Sequence, residues 1–159
     1  SQTVTGVQTC ALPIYLDAGV TVALGTDGAA SNNDLDLFDE MRDAAMLGKL
    51  AADRADAVAA PDVVRMATAG GADALGLPGG RLEPGAAADL AVVDLDAPHL
   101  TPVHDVVSHL VYAARGADVR HTICDGQVLM RDREVLTMDA ERVKERARER
   151  AAVMADRAG

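Results

Sequence analysis

The sequence predicts an α/β fold, on three observations. Val20 to Leu24 (VTVAL) is a short, continuous apolar run rich in β-branched residues, the pattern of a strand covered on both faces. A polar turn follows, and then Leu35, Phe38, Met41, Ala45 and Leu47 recur at roughly helical spacing as far as Lys49. Further along, apolar runs alternate with Gly, Pro and Asp-Gly punctuation, as in a set of short strands joined by turns. Strand, polar turn and helix in that order make a β/α unit.

The elements can be taken in order. Val4 to Ile14 (VTGVQTCALPI) has no helical or strand period, and it matches the translation of a short-read sequencing adapter. Residues 1–14 are therefore expected to be adapter-derived and are set aside from fold reasoning, with native coding sequence beginning near Tyr15 or Leu16 and the natural protein longer on that side. After the first strand, Gly25 and Gly28 are expected to let the backbone turn sharply. Ser31, Asn32, Asn33 and Asp34 are all good N-cap types for the helix that follows. Pro61 suits the first position of a short helix containing Val63, Val64, Met66 and Ala67. Gly70-Gly71 is expected to interrupt it before a further turn or short helix over 72–75.

Gly76 to Gly85 is turn-rich, and Ala88 to Asp94 (ADLAVVD) reads as the next strand. Val106 to Ala114 is apolar and of either type. Val119 to Cys124 and Gln127 to Arg131 read as strands joined by Asp125-Gly126, the strongest hairpin signal in the chain. A third short strand is expected over 134–137. Asp139 to Arg157 reads as a charged, Ala-rich helix with Val143, Ala147, Ala151 and Met154 on one face and charges paired at i, i+4 around the rest.

Composition narrows the function. At 159 residues, 49% hydrophobic and 25% charged, the chain is long enough for one core, but with 2% aromatic residues that core must rest on Ala, Val, Leu and Met. A formal net charge of −10 argues against a nucleic-acid or anionic-membrane surface, which needs clustered Lys and Arg. Two cysteines, Cys10 and Cys124, make no disulfide framework and no zinc-binding pair, so a reduced, cytoplasmic setting is expected. No apolar run approaches a membrane span.

The stretch that carries chemistry is Gly25 to Asp36, GTDGAASNNDLD. A carboxylate just past the end of a buried strand projects into the mouth where α/β proteins hold ligands. Asp27 has the short, stiff arm that suits a hard or borderline cation, and the same oxygen can take a proton from metal-bound water. On spacing alone it reads equally as a turn aspartate bonding its own backbone. The segment is not a calcium loop, since Asn32 stands where the turn glycine is needed, and it lacks the lysine of a phosphate loop. Ser31 has no histidine at a nucleophile's spacing and reads as a cap, as do Asn32, Asn33 and Asp34, with support for Asp27 as their minority role.

GTDGAASNNDLDLFDEMR resembles the last barrel-strand motif of the amidohydrolase superfamily, and most of all its 5-methylthioadenosine/S-adenosylhomocysteine deaminase branch, near the chlorohydrolase-like members. MATAGGADALGLPGGRLEPGAAADLAVVDLD (66–96), with Gly80, Leu82, Gly85, Ala88, Asp89 and Leu90, is similar to the tail of the same superfamily. HTICDGQVLMRD (121–132) resembles its closing hairpin, and PVHDVVSHLVYAARGADV (102–119) also fits the branch.

The resemblance implies the last β/α unit and trailing helices of a metal-dependent (β/α)8 TIM-barrel hydrolase over 15–80. It implies the C-terminal strands of a small β-sandwich over 81–137, with an exposed sheet edge where N-terminal strands would pair, and a C-terminal helix over 138–159. It assigns Asp27 as metal ligand, general base and substrate contact, in a parent that holds a divalent metal, zinc above all, and deaminates a purine nucleoside. The alternatives are another ring substrate (an s-triazine, guanine or cytosine) or a non-catalytic interaction module. The family's other ligands, a His-x-His pair, two later histidines and a glutamate, precede this motif. His99, His104, His109 and His121 all follow it and read as surface or packing residues. The expected partner is a small-molecule substrate, with no nucleic acid and no membrane. A homo-oligomeric parent is allowed, and the fragment itself is expected to be inactive and poorly stable.

Overall fold

The computed structural model describes residues 11–158. Small side chains dominate the helical half, so its helices approach closely. α1 (Leu12–Asp17), α3 (Leu37–Ala52), α4 (Ala60–Ala67) and α6 (Val106–Tyr112) surround a core in which Ala45, Val63 and Val111 are fully buried. α2 (Ala29–Asn32) is one turn, and α5 (Ala69–Leu75) continues from α4 through a break at Thr68. The second layer is an antiparallel sheet in the order β1 (Leu90–Val93), β2 (Val119–Cys124), β3 (Gln127–Arg131) and β4 (Glu134–Val135). The mixed α/β class is as the pattern predicts, and no described helix is long and apolar enough to cross a membrane.

Val20 to Leu24 does not form a strand. The side chains alternate: Val22 and Leu24 pack on the helical core, while Thr21 and Ala23 are exposed. A strand needs a neighbour to hydrogen-bond with, and none is present among the described residues; the segment's backbone ties are Val20 N–H donating to Tyr15 O at 2.9 Å and Leu24 N–H donating to Met66 O at 3.2 Å. The continuous apolar pattern is thus covered on one face only.

Four local expectations are corrected. None of the four polar residues after Gly28 caps the long helix; Asp36 does, accepting from Phe38 N at 2.9 Å, so the helix starts at Leu37 and Leu35 lies outside it. Leu47 is on the exposed side of α3. Gly70-Gly71 does not interrupt the chain but lies inside α5: a Cβ at Gly70 would fall 2.4 Å from Val22 O, so only glycine lets the helix meet that backbone. In α7 (Ala140–Ala158) the rows at i, i+4 carry like charges, and the ion pair formed is Lys144 with Glu141, at i, i+3.

The hairpins hold the sheet's register. Asp125 and Gly126 both have positive φ (47° and 75°), as a two-residue I′ turn requires, and bring Cys124 opposite Gln127. A second tight turn, Asp132-Arg133, also has two positive φ values and no glycine; Asp132 N–H donates to His121 Nδ1 and Arg133 N–H to Arg120 O. β1 and β4 are the sheet edges. Residues 1–10, with Cys10 and most of the adapter-like segment, lie outside the described residues. Of that segment's end, Leu12 is 5% exposed and packs in the helical core.

Candidate functional site

The loop 25–36 is held from both ends. On its near side Val22 and Leu24 anchor it to the helical core; on its far side Asp36 anchors it to α3. Asp27 sits between, exposed, with a left-handed backbone at φ 58°. Gly25 and Gly28 were expected to make the sharp turn, but neither has positive φ; the aspartate makes the turn itself. Aspartate is among the few non-glycine residues that adopt this region, because its short side chain tolerates it. Thr26 Oγ1 donates to Asp27 O at 3.3 Å, so that the backbone of Asp27 is engaged while its carboxylate faces solvent.

The residues after α2 form a polar staple. Asn32 accepts from Leu35 N–H at 2.6 Å through Oδ1 and donates from Nδ2 to Glu40 Oε1. Asp34 accepts from Asp36 N–H at 3.1 Å. Asp36 divides its carboxylate between Phe38 N–H and Gly116 N–H, the latter at 2.8 Å and far away in sequence. Two further residues here, Asn33 (φ 77°) and Leu35 (φ 59°), are left-handed, which costs about 1 kcal/mol or more each and persists only where surrounding contacts enforce it. The staple supplies them. Ser31 lies inside α2 and caps nothing. Asp36 and Glu40 escaped the sequence reading; the available signal was an aspartate immediately before the run Phe38, Met41, Ala45.

Three of the four histidines have hydrogen-bond partners of their own. His99 Nε2 meets Asp118 Oδ2 at 3.1 Å, and Asp118, 5% exposed, also accepts from Arg115 N–H. His109 Nδ1 lies 3.0 Å from Asp105 O within its own helix. His121 accepts from Asp132 N–H, and His104 is exposed. Asp89, of the Ala88-Asp89-Leu90 motif, has a structural part: its carboxylate accepts from Asp125 N–H at 2.7 Å and so ties β1 to the Asp125-Gly126 turn.

The test of a metal site is therefore one-sided. Asp27 offers one hard oxygen donor in the open, but among the described residues no three His, Cys, Asp or Glu side chains gather to hold an ion. Zinc takes three or four protein ligands. Asp27 is a candidate donor with no site around it among the described residues, and no step through a metal follows from those residues alone.

Comparison with known proteins gives a consistent result. The amidohydrolase family model matches residues 1–129. The chain is 71% identical over 144 residues to a 5-methylthioadenosine/S-adenosylhomocysteine deaminase of Haloarcula marismortui, covering 91% of the chain and 33% of that protein. It is 53% identical over 148 residues to a 5'-deoxyadenosine deaminase of Methanosarcina acetivorans, covering 92% and 34%. Among solved structures, a zinc-bound adenosine deaminase from Xanthomonas campestris superposes with a TM-score of 0.86 at 42% identity, over 90% of this chain and 33% of that one. A zinc complex of atrazine chlorohydrolase from Arthrobacter aurescens gives 0.77 at 36% identity, over 85% and 30%. The chain spans about a third of the length of the curated relatives it matches.

Proposed function

The chain belongs to the amidohydrolase family, with the α/β fold of a barrel hydrolase's last β/α unit and sandwich strands, and from that premise we propose that it is the C-terminal portion of a metal-dependent purine-nucleoside deaminase. The substrate class is 5-methylthioadenosine or S-adenosylhomocysteine. The observation that carries this reading is the 71% identity, over nine-tenths of the chain, to a relative of that name. Identity falls to 53% for a 5'-deoxyadenosine deaminase and to 36% for the chlorohydrolase, which ranks the purine substrate above the triazine.

In this reading Asp27 is the chain's contribution to the reacting centre. A divalent cation, zinc by analogy with the zinc-bound neighbours, lowers the pKa of water when a complete ligand set holds it. The Asp27 carboxylate would contribute one oxygen to that set, would take the proton of the water that adds to C6 of the purine and would pass it to the C6 amino group, which leaves as ammonia with an inosine-type product remaining. The left-handed turn at Asp27 and the staple from Asn32 to Asp36 fix the loop while the carboxylate stays free. The substrate pocket and the other ligands belong to the part of the enzyme upstream, in a cytoplasmic protein.

Reconstitution tests this. The chain is co-expressed with the remaining N-terminal portion of the Haloarcula marismortui relative, and ammonia release from 5-methylthioadenosine is followed with zinc present. Activity is expected from the pair, none from the chain alone, and none from the pair carrying Asp27→Asn. Undiminished turnover by that variant pair would overturn the assignment of Asp27. Turnover of an s-triazine in place of the nucleoside would overturn the substrate class.

A further inference from the structure

Asp27 has a chemical property separate from any part in catalysis, and it comes from the residue that follows. The sequence holds two Asp-Gly pairs, Asp27-Gly28 and Asp125-Gly126. In such a pair a five-membered ring can close between the aspartate Cγ and the backbone nitrogen of the next residue. Glycine leaves that nitrogen unshielded, because it has no Cβ. Both pairs lie on the surface, and both aspartates have left-handed backbones, at φ 58° and 47°. Neither glycine has an atom within 4 Å of where a Cβ would stand. Exposure, conformation and crowding therefore do not separate the two.

Hydrogen bonding does. In the hairpin, Gly126 N–H donates to Ala88 O at 3.1 Å and Asp125 N–H to Asp89 Oδ1 at 2.7 Å, and Cys124 faces Gln127 directly across the turn. The peptide between Asp125 and Gly126 cannot swing toward the Asp125 carboxyl group without breaking the bond to Ala88. The peptide between Asp27 and Gly28 has no such tether. Among the described residues Gly28 N–H donates to nothing and the Asp27 carboxylate accepts nothing; the peptide's one contact is from Thr26 Oγ1 to Asp27 O, at 3.3 Å. The firm anchors of the loop lie to either side, at Val22 and Leu24 and at Asp36, and leave this peptide free to rotate.

We propose that in this chain of 159 residues Asp27 is a site of spontaneous isomerisation to isoaspartate, while Asp125 is protected. The Gly28 nitrogen attacks Cγ of the Asp27 carboxyl group. The new N–Cγ bond closes a succinimide ring, and the Cγ–OH bond breaks, its oxygen leaving as water with the amide proton. Water then adds to one of the two ring carbonyls. Opening at Cγ restores Asp27. Opening at the main-chain carbonyl carbon routes the backbone through Cγ, adds one carbon to the path of the chain, and leaves the carboxylate on Cα. No oxidant and no co-reactant other than water enters, and the net mass is unchanged. None of this depends on the deaminase reading.

Ageing the full chain tests this. The folded protein is held at neutral pH and physiological temperature beside the same chain unfolded in urea. Isoaspartate is quantified by labelling with a protein isoaspartate methyltransferase and located by electron-based fragmentation of peptides. In the folded chain it should form at position 27 at least about fivefold faster than at 125, because Gly126 must first release a hydrogen bond. In urea the two positions should react at similar rates. Gly28→Ala should slow the reaction at 27 several-fold and leave 125 unchanged. The φ of −89° and the open space at Gly28 accept an alanine, and circular dichroism checks that the variant keeps its fold. Equal rates at the two positions in the folded chain overturn the proposal. So does an absence of isoaspartate at 27 over the time in which the unfolded chain forms it, or a Gly28→Ala chain that isomerises as fast as the original.

Discussion

Replacing Asp36 with alanine tests how the Asp27 loop is held. The Asp36 carboxylate has two jobs, capping α3 at Phe38 N–H (2.9 Å) and accepting from Gly116 N–H (2.8 Å), and it is half-buried between them. Loss of an N-cap costs about 1 kcal/mol. Gly116 N–H, left without its acceptor in a half-buried place, costs about 1–2 kcal/mol more. The sum for Asp36→Ala is about 2–3 kcal/mol, and Asp36→Asn, which keeps one acceptor oxygen, should lose about half of that. In urea, with a slope of about 2 kcal/mol/M, the alanine variant should unfold about 1–1.5 M earlier by far-ultraviolet circular dichroism.

A double-mutant cycle adds a specific check. A Cβ at Gly116 would sit 3.1 Å from both Asp36 carboxylate oxygens, so Gly116→Ala perturbs the same contact from the other side. The two substitutions should be less than additive, because the second removes what the first has already lost. A midpoint shift below about 0.3 M for Asp36→Ala, or full additivity with Gly116→Ala, would show that this contact does not hold the loop.

Three further outcomes are expected. Gly70→Ala should destabilise by about 2 kcal/mol or more, because its Cβ would meet the Val22 carbonyl, which is backbone and cannot rotate away; a neutral result in thermal melts refutes the close approach. Asp105 caps α6 by accepting from Ser108 N–H at 2.7 Å, and that bond holds its carboxyl below the ordinary carboxylate range. Its contribution is therefore present above its unfolded pKa and lost as pH falls through the lower folded value. α6 amides should lose hydrogen-exchange protection below about pH 4, and Asp105→Asn should remove that pH dependence. The Asp89 carboxylate, with Asp125 nearby, pushes the exposed Cys124 thiol above its usual range; iodoacetamide should alkylate it slowly at pH 8, faster after Asp89→Asn, and equal rates refute the coupling.

What the sequence reveals depends on how far away the deciding partner lies. The Asp125-Gly126 hairpin was legible because the residues that need positive φ sit in the turn itself. The Asp132-Arg133 turn was not, since its bonds come from Arg120 and His121 across the sheet. Four polar residues before α3 look equally good as caps; Gly116, in another part of the chain, accompanies the choice of Asp36. The glycine pair at 70–71 suggests a break locally, and packing against Val22 overrides it. The apolar run 20–24 was visible, but a strand is a relation between segments, and only one segment is here. Asp27 was legible as a position and a residue type, because both are local; the set of partners that would make it a metal site is not.

The backbone of Asp27 changes what its variants can report. At φ 58° a residue with an ordinary Cβ carries a conformational penalty that asparagine largely escapes and glycine escapes altogether. An alanine there confounds two losses, the missing oxygen and a loop pulled toward another shape. Asparagine removes the charge while keeping the turn, and glycine removes the side chain while relaxing it. Agreement between those two variants would assign a defect to the carboxylate; disagreement would assign it to the path of the chain.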